Sequence, residues 1–416
     1  MRARLALLFN RVWRRPGVRI SAFGAAALVV AVIAPLLDRS IPEPWIDRFS
    51  RDAVLPILNI LASSMLAVTT FSLGIMVSAF RSAAGQATPR AYRILMQDMT
   101  TLNVMSVFVG AFLFSLAAIV LFRLNFFGDS AAVIVFAMTL VCIFMIIVAI
   151  LRWIAHLSQL GSLDHTLGLV EDFATPPLKR LAKTPNLGAR AAQNAPRVPE
   201  DAAPVMSKKS GYIQYISLGE LNPALEKEDA TLWITTPPGS WVLKGTPMGY
   251  VTGASDPEAL ATHFTLGSGR TVEQDARFGI VILSEIASRA LSPGVNDPGT
   301  AIDVVHRIER ILWDLGRAMS SGESDTETRY DRVIIGSVSP NDLLQDGFSA
   351  LMQDGGNRFD VMAQVLKATN RLSKSDWTDL AEAAQKSRDT ALGIIDRRID
   401  DPDAVEALRT KAKQTA

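Results

Sequence analysis

Four runs of the chain, Val18–Leu37, Val54–Phe80, Thr101–Phe122 and Ala131–Leu151, are apolar over about 20 residues or more, and their cores carry no Asp, Glu, Lys, Arg or His. A helix rises about 1.5 Å per residue, so each run is long enough to cross the hydrocarbon core of a bilayer. The pattern then changes. "RWIAHLSQLGSLDHTLGLVEDF" has helical, amphipathic spacing, and residues 174–210, rich in Ala and Pro, lose it and read as an extended connector. Between Gly211 and Gly253 the runs "GYIQYI", "TLWITT", "SWVLKG" and "MGYVTG" are short, β-rich and separated by Pro and Gly. Helical period returns from Thr271, where Thr271 and Gln274 have capping-box spacing and Glu273–Arg277 and Glu285–Arg289 have ion-pair spacing. A hydrophilic loop, "SGESDTETRYD", a single strand, "RVIIGSV", and about four helices complete the chain.

The predicted fold is four transmembrane helices plus a cytoplasmic α+β region with a small β-barrel-like subdomain and a helical subdomain. The boundaries fall at 1–160 for the membrane domain, 161–210 for the helix end and connector, 211–255 for the barrel and 256–416 for the helical part. The first apolar run begins too far from the start, and lacks a small-residue cleavage site, to be a signal peptide. Arginines 2, 4, 11, 14 and 15 precede it, Arg19 stands at its start, and Arg81, Arg90 and Arg93 follow the second run. In the loop between them, Arg39, Arg48 and Arg51 are outnumbered by Asp38, Glu43, Asp47 and Asp52, and the last loop has Arg123. The positive-inside bias therefore predicts a bacterial inner-membrane protein with both termini cytoplasmic. Thr88–Pro89 reads as an N-cap with Pro at the first helical position, starting a cytoplasmic elbow helix before the third span.

Composition narrows the function. A mean hydropathy of +0.22 beside 20% charged residues fits a chain split between lipid and water. A net charge of +1 gives no excess for binding nucleic acid. The one cysteine, Cys142, excludes a disulfide framework or a Cys-based zinc site. No P-loop, HExxH, nucleophile-elbow or dinucleotide fingerprint is present. Neither a cofactor nor an enzymatic activity is expected.

Candidate chemistry lies in three places. Asn59, Ser63, Thr70, Gly74 and Ser78 form one stripe on the second span, and Asn103, Ser106, Gly110 and Ala117 a matching one on the third. Such residues either let helices pack closely or, in several copies, line an uncharged pore. On a later helix Asp303, His306 and Glu309 step by three and could group around a metal or act as acid and base, though ordinary solvated helices carry the same spacing. The third place is the turn "RALSPGVNDPGTAIDVV". Pro293 stops one helix, Gly294 is expected to take positive φ, and Asp297–Pro298 caps the next. That leaves Ser292 and Asn296, with Asp297, as candidates for contact with a ligand or another subunit.

Two resemblances follow from these strings. "GYIQYI" and "PPGSWVLKGTPMGYV" resemble the barrel-sandwich fold of biotinyl and lipoyl carrier domains. The nearby lysine, Lys227, lies in the helix-like "PALEKEDA", so a plain β-barrel is expected rather than a carrier. "RTVEQDARFGI…LSEIASRALSPGVNDPGTA", with "ATPRAYRILMQDMTTLNVMSVFVGAF" and the preceding spans, resembles over nearly the whole chain the bacterial predicted-membrane-protein family labelled domain of unknown function 2254. That resemblance supports the topology and implies no activity. The leading expectation is an oligomeric, channel-like protein passing ions along the polar stripes under a cytoplasmic regulatory region. The alternative is a membrane-anchored sensor or scaffold whose cytoplasmic domain binds a small ligand or partner.

Overall fold

The computed structural model describes residues 51–96, 98–124, 129–192, 197–322 and 328–414, with a few positions between 18 and 29. Residues 2–166 form one compact unit and residues 167–416 another. The first expected span, Val18–Leu37, falls largely outside the described residues.

In the first unit, three helices have the length and apolarity of membrane spans: α1 (Arg51–Gln86), α3 (Met99–Arg123) and α4 (Asp129–Leu157). α3 packs against both of the others, and Leu58, Phe108, Phe114 and Val135 lie in their shared core. Between α1 and α3 sits the expected elbow, α2 (Pro89–Leu95), whose cap Thr88 accepts a bond from the Ala91 amide. A new helix starts at Asp98, which caps α3.

The second unit opens with α5 (Leu163–Lys183), whose first residues belong to the first unit. Residues 174–183, expected to begin an extended connector, are helical although Pro176 and Pro177 lie inside. Each proline costs an intrahelical hydrogen bond, but Leu167, Val170, Ala174, Leu178 and Ala182 bury one continuous stripe, and that burial outweighs the loss. The rest of the connector contributes β1 (Ala189–Ala192) and β2 (Ala203–Met206).

The four β-rich runs all become strands: β3 (Gly211–Ile216), β4 (Thr231–Ile234), β5 (Trp241–Val242) and β6 (Pro247–Thr252). They do not close into a barrel. One sheet runs β1-β8-β4-β6-β2 and the other β5-β3-β7, with β7 at Phe264–Gly267 and β8 at Tyr330–Gly336. Closure fails because the four runs divide between the two sheets, β4 and β6 in one and β3 and β5 in the other, and the late strand "RVIIG" takes the place beside β4. It pairs in parallel with β4 on one side and β1 on the other, satisfying backbone groups that burial would otherwise orphan. α6 (Leu218–Lys227) covers the core with Leu221 and Leu225, and Lys227 ends that helix rather than a hairpin.

The remaining chain is a helical bundle: α8 (Phe278–Ala290), α9 (Pro298–Ser320), α10 (Pro340–Asp354), α11 (Phe359–Leu372), α12 (Thr378–Arg398) and α13 (Pro402–Gln414), with the one-turn α7 (Pro257–Leu260) before it. The expected helix start at Thr271 is not found. Gln274 turns to the β-sheet instead of closing a capping box, and α8 begins seven residues after Thr271, at Phe278. The expected Glu273–Arg277 pair is replaced as well, because Arg277 reaches Asp346 at 2.6 Å and Asp342 at 3.3 Å on α10.

Candidate functional site

The segment "RTVEQDAR", residues 270–277, is irregular, yet almost every polar group in it has a fixed partner. The Gln274 amide imitates a neighbouring strand: its Oε1 accepts from the Ile216 N–H at 2.7 Å and its Nε2 donates to the Ile216 carbonyl at 3.0 Å. Asp275 is buried and accepts a forked pair of bonds from Arg270, at 2.8 and 3.1 Å, and another from the Arg277 N–H. Burial pushes its carboxyl up against the pull of Arg270 and Arg277. The Arg270 guanidinium also lies 5.1 Å from the Phe278 ring centroid.

This segment walls a cavity of 520 Å³, within the roughly 300–1,000 Å³ typical of small-molecule sites. The end of α5 supplies Arg180, β3 supplies Tyr215 and β8 supplies Tyr330. Arg180 donates to the Val272 carbonyl at 3.0 Å, and among the described residues no carboxylate pairs with it. The hydroxyls of Tyr215 and Tyr330 make no hydrogen bond to described residues. Burial, then the neighbouring Tyr330, pushes the Tyr215 phenol up, so it stays a donor. Asn186 and Leu187 also line the cavity, both with left-handed backbone at φ 55° and 59°. The Asn186 Oδ1 is buried without a partner. Two adjacent non-glycine residues in this conformation store strain, and leucine has no local hydrogen bond to relieve it.

A second polar cluster lies in the first unit, where α3 begins and α4 ends. Asp98 accepts from the Thr101 N–H at 3.0 Å, the Thr101 hydroxyl at 2.5 Å and His156 Nε2 at 2.7 Å. Asp98, Thr101 and His156 are all buried, and the His165 ring meets His156 edge-on at 5.5 Å. Burial acts to raise the Asp98 carboxyl, but its bonds from His156 and Thr101 prevail and hold it well below the carboxylate range. Burial, and then His156, push His165 below its ordinary value.

The residues singled out in the sequence are placed as follows. Asn59, Ser63, Thr70 and Ser78 are all exposed on α1, and the first three donate back to carbonyls three or four residues earlier. On α3, Ser106 is buried and bonded to the Leu102 carbonyl at 2.7 Å, while Asn103 is exposed. In the turn, the left-handed residue is Asn296 (φ 50°), not Gly294. Its short polar side chain tolerates that conformation, and the bend lets the Asp297 N–H reach the Ala290 carbonyl at 2.8 Å. Ser292 donates to the Arg289 carbonyl, Asn296 accepts from Arg358 at 2.6 Å, and Asp297 caps α9 through Thr300. On α9, Asp303 binds Arg307 and Glu309 binds Arg371, while His306 is exposed. Among the described residues no group of three His, Cys, Asp or Glu could hold a metal.

Neither the cavity nor the Asp98 cluster is legible in the sequence. The cap spacing "DMTT" was visible, but Thr101 and His156 lie 55 positions apart and only the helical hairpin joins them.

Three helices of membrane-span length and apolarity, followed by an α+β unit, fit a membrane protein. Residues 10–371 match the family described as predicted membrane protein, DUF2254, and the chain belongs to that family. Uncharacterized proteins of Mycobacterium bovis and Mycobacterium tuberculosis are 25% identical to it over 330 residues, covering 74% of this chain and 61% of theirs. No solved structure matches.

Proposed function

We propose that this membrane protein is a sensor whose second unit binds a small organic anion with a planar ring, in the cavity walled by residues 270–277. The observation that carries the reading is the Arg180 guanidinium at that cavity with no carboxylate partner among the described residues. A bound anion would give Arg180 the direct partner that the carboxylates lining the cavity, Glu273, Asp275 and Asp342, do not provide. The two tyrosines offer ring faces and hydroxyls, and Asn186 offers an amide edge. The arginine bias of the loops supports placement in the inner membrane with this unit in the cytoplasm. The sequence alternative placed the ligand at Ser292–Asp297. The cavity is the better candidate because the side chains of that turn are spent on contacts within the chain.

Benzoate, AMP and GMP serve as probes of ring plus anion, added to the purified full-length protein during thermal melting. At least one should raise the melting temperature, and Arg180→Ala should weaken its apparent affinity about tenfold or more, the worth of a charge-assisted hydrogen bond. No shift with any probe, or a shift that Arg180→Ala leaves intact, would reject the reading.

A second reading, passive ion conduction by a homo-oligomer, draws on one observation: Asn59, Ser63, Thr70 and Ser78 are exposed along α1. Several copies could turn those uncharged groups toward a common axis. Ion flux from liposomes containing the protein, abolished by the Ser63→Leu/Thr70→Leu double substitution, is the outcome this reading requires. Flux unchanged by the double substitution would remove these residues from any pore.

A further inference from the structure

We infer that the groove between α3 and α4 holds one anionic phospholipid. The groove has a volume of 570 Å³ and joins two kinds of surface. Val107, Phe144 and Val148 line its apolar part, inside the candidate spans. Asn103, Arg152 and Gln159 line its polar part, where α3 starts and α4 ends. About 12 Å of helix separates Phe144 from Arg152, so the lining changes from hydrocarbon to hydrogen-bonding groups along the direction in which a lipid changes from chain to head.

Charge selects the kind of lipid. Among the described residues, the Arg152 guanidinium has no carboxylate partner. The other ionisable group lining the groove, His156, is already matched by Asp98 at 2.7 Å. The polar end thus presents one uncompensated positive charge, flanked by the Asn103 and Gln159 amides. Basic pockets between membrane helices near the interface recognise anionic headgroups in this way. A neutral headgroup would leave the charge unmatched, and a free anion would leave the apolar part exposed. The inference is independent of the ligand cavity in the second unit.

The test uses full-length protein reconstituted in vesicles of equal phosphatidylglycerol and phosphatidylcholine, extracted in mild detergent, with retained lipid identified by native mass spectrometry. Wild type should retain phosphatidylglycerol over phosphatidylcholine by about fivefold, the worth of one basic group at the membrane surface. Arg152→Gln should bring the two to parity, Arg152→Lys should keep most of the preference, and Val148→Trp, which fills the apolar part, should lower retention of both. Parity in the wild type, or a preference that survives Arg152→Gln, overturns the inference. Efficient disulfide cross-linking between copies through Val148→Cys, in a Cys142→Ala background and without lipid preference, would assign the groove to a second copy and overturn it as well.

Discussion

Asp98→Ala should destabilise the membrane unit by about 2–4 kcal/mol, the combined cost of a lost helix cap and of a buried hydrogen-bonding side chain left without its partner. Two losses combine. His156, buried, loses the carboxylate at 2.7 Å, and α3 loses its N-cap, leaving the Thr100 and Thr101 amides unsatisfied. Thermal unfolding in nanodiscs would measure it. The double substitution Asp98→Ala/His156→Ala should lose less than the sum of the single changes, because the second change removes the buried ring N–H that the first left without its acceptor. A loss under about 1 kcal/mol would mean that Asp98 is an ordinary solvated cap.

The same cluster fixes the sign of a pH dependence. His165 is a base with a folded value below its ordinary 6.5, so the unfolded chain takes up its proton first as pH falls. Stability is therefore complete above 6.5 and declines below it. Asp98 is an acid with a folded value below its ordinary 3.8. Its contribution is complete above 3.8 and is lost as pH falls further toward the folded value. Unfolding followed from pH 8 to pH 3 should show the first decline, and His165→Phe should remove it.

Gly239→Ala should cost the second unit about 2–4 kcal/mol. Gly239 has φ +87°, and a Cβ there would lie 2.2 Å from Asp275 Oδ2. Alanine must bear the left-handed strain, about 1–2 kcal/mol, and also push the buried Asp275 off its forked bond to Arg270. Gly245→Ala is the control: its φ of +81° carries the same strain, but a Cβ there meets nothing within 4 Å. Melting temperatures of the two variants separate the terms. Equal losses would show that Asp275 yields freely and that the 270–277 wall is softer than its hydrogen bonds suggest.

The elements that the sequence determined are those whose signals are local. Length and apolarity marked α1, α3 and α4, since a bilayer-length apolar run has few other uses. Thr88–Pro89 and Asp297–Pro298 announced helix starts, because a cap and a proline at the first position act within one turn. The turn at Ser292–Asp297 is likewise a capped corner on local grounds, with Asp297 as the cap of α9. The left-handed residue was misplaced because glycine permits that conformation without requiring it, and Asn296 takes it here with Arg358 on its side chain.

What only tertiary structure decided depends on partners distant in sequence. "RVIIGSV" could be read as a strand, but nothing in it says that β1 and β4 will flank it, so a closed barrel was expected where two open sheets form. Pro176 and Pro177 signalled a break that α5 overrides, because its stripe is buried. Gln274 had capping-box spacing, yet it binds the backbone of Ile216, 58 positions away. The cavity follows the same rule. Arg180, Tyr215, Asp275 and Tyr330 come from four separate stretches, and their convergence is set by sheet pairing and helix packing. Short-range rules of capping, periodicity and hydropathy act on neighbours along the chain, whereas a site is defined by neighbours in space.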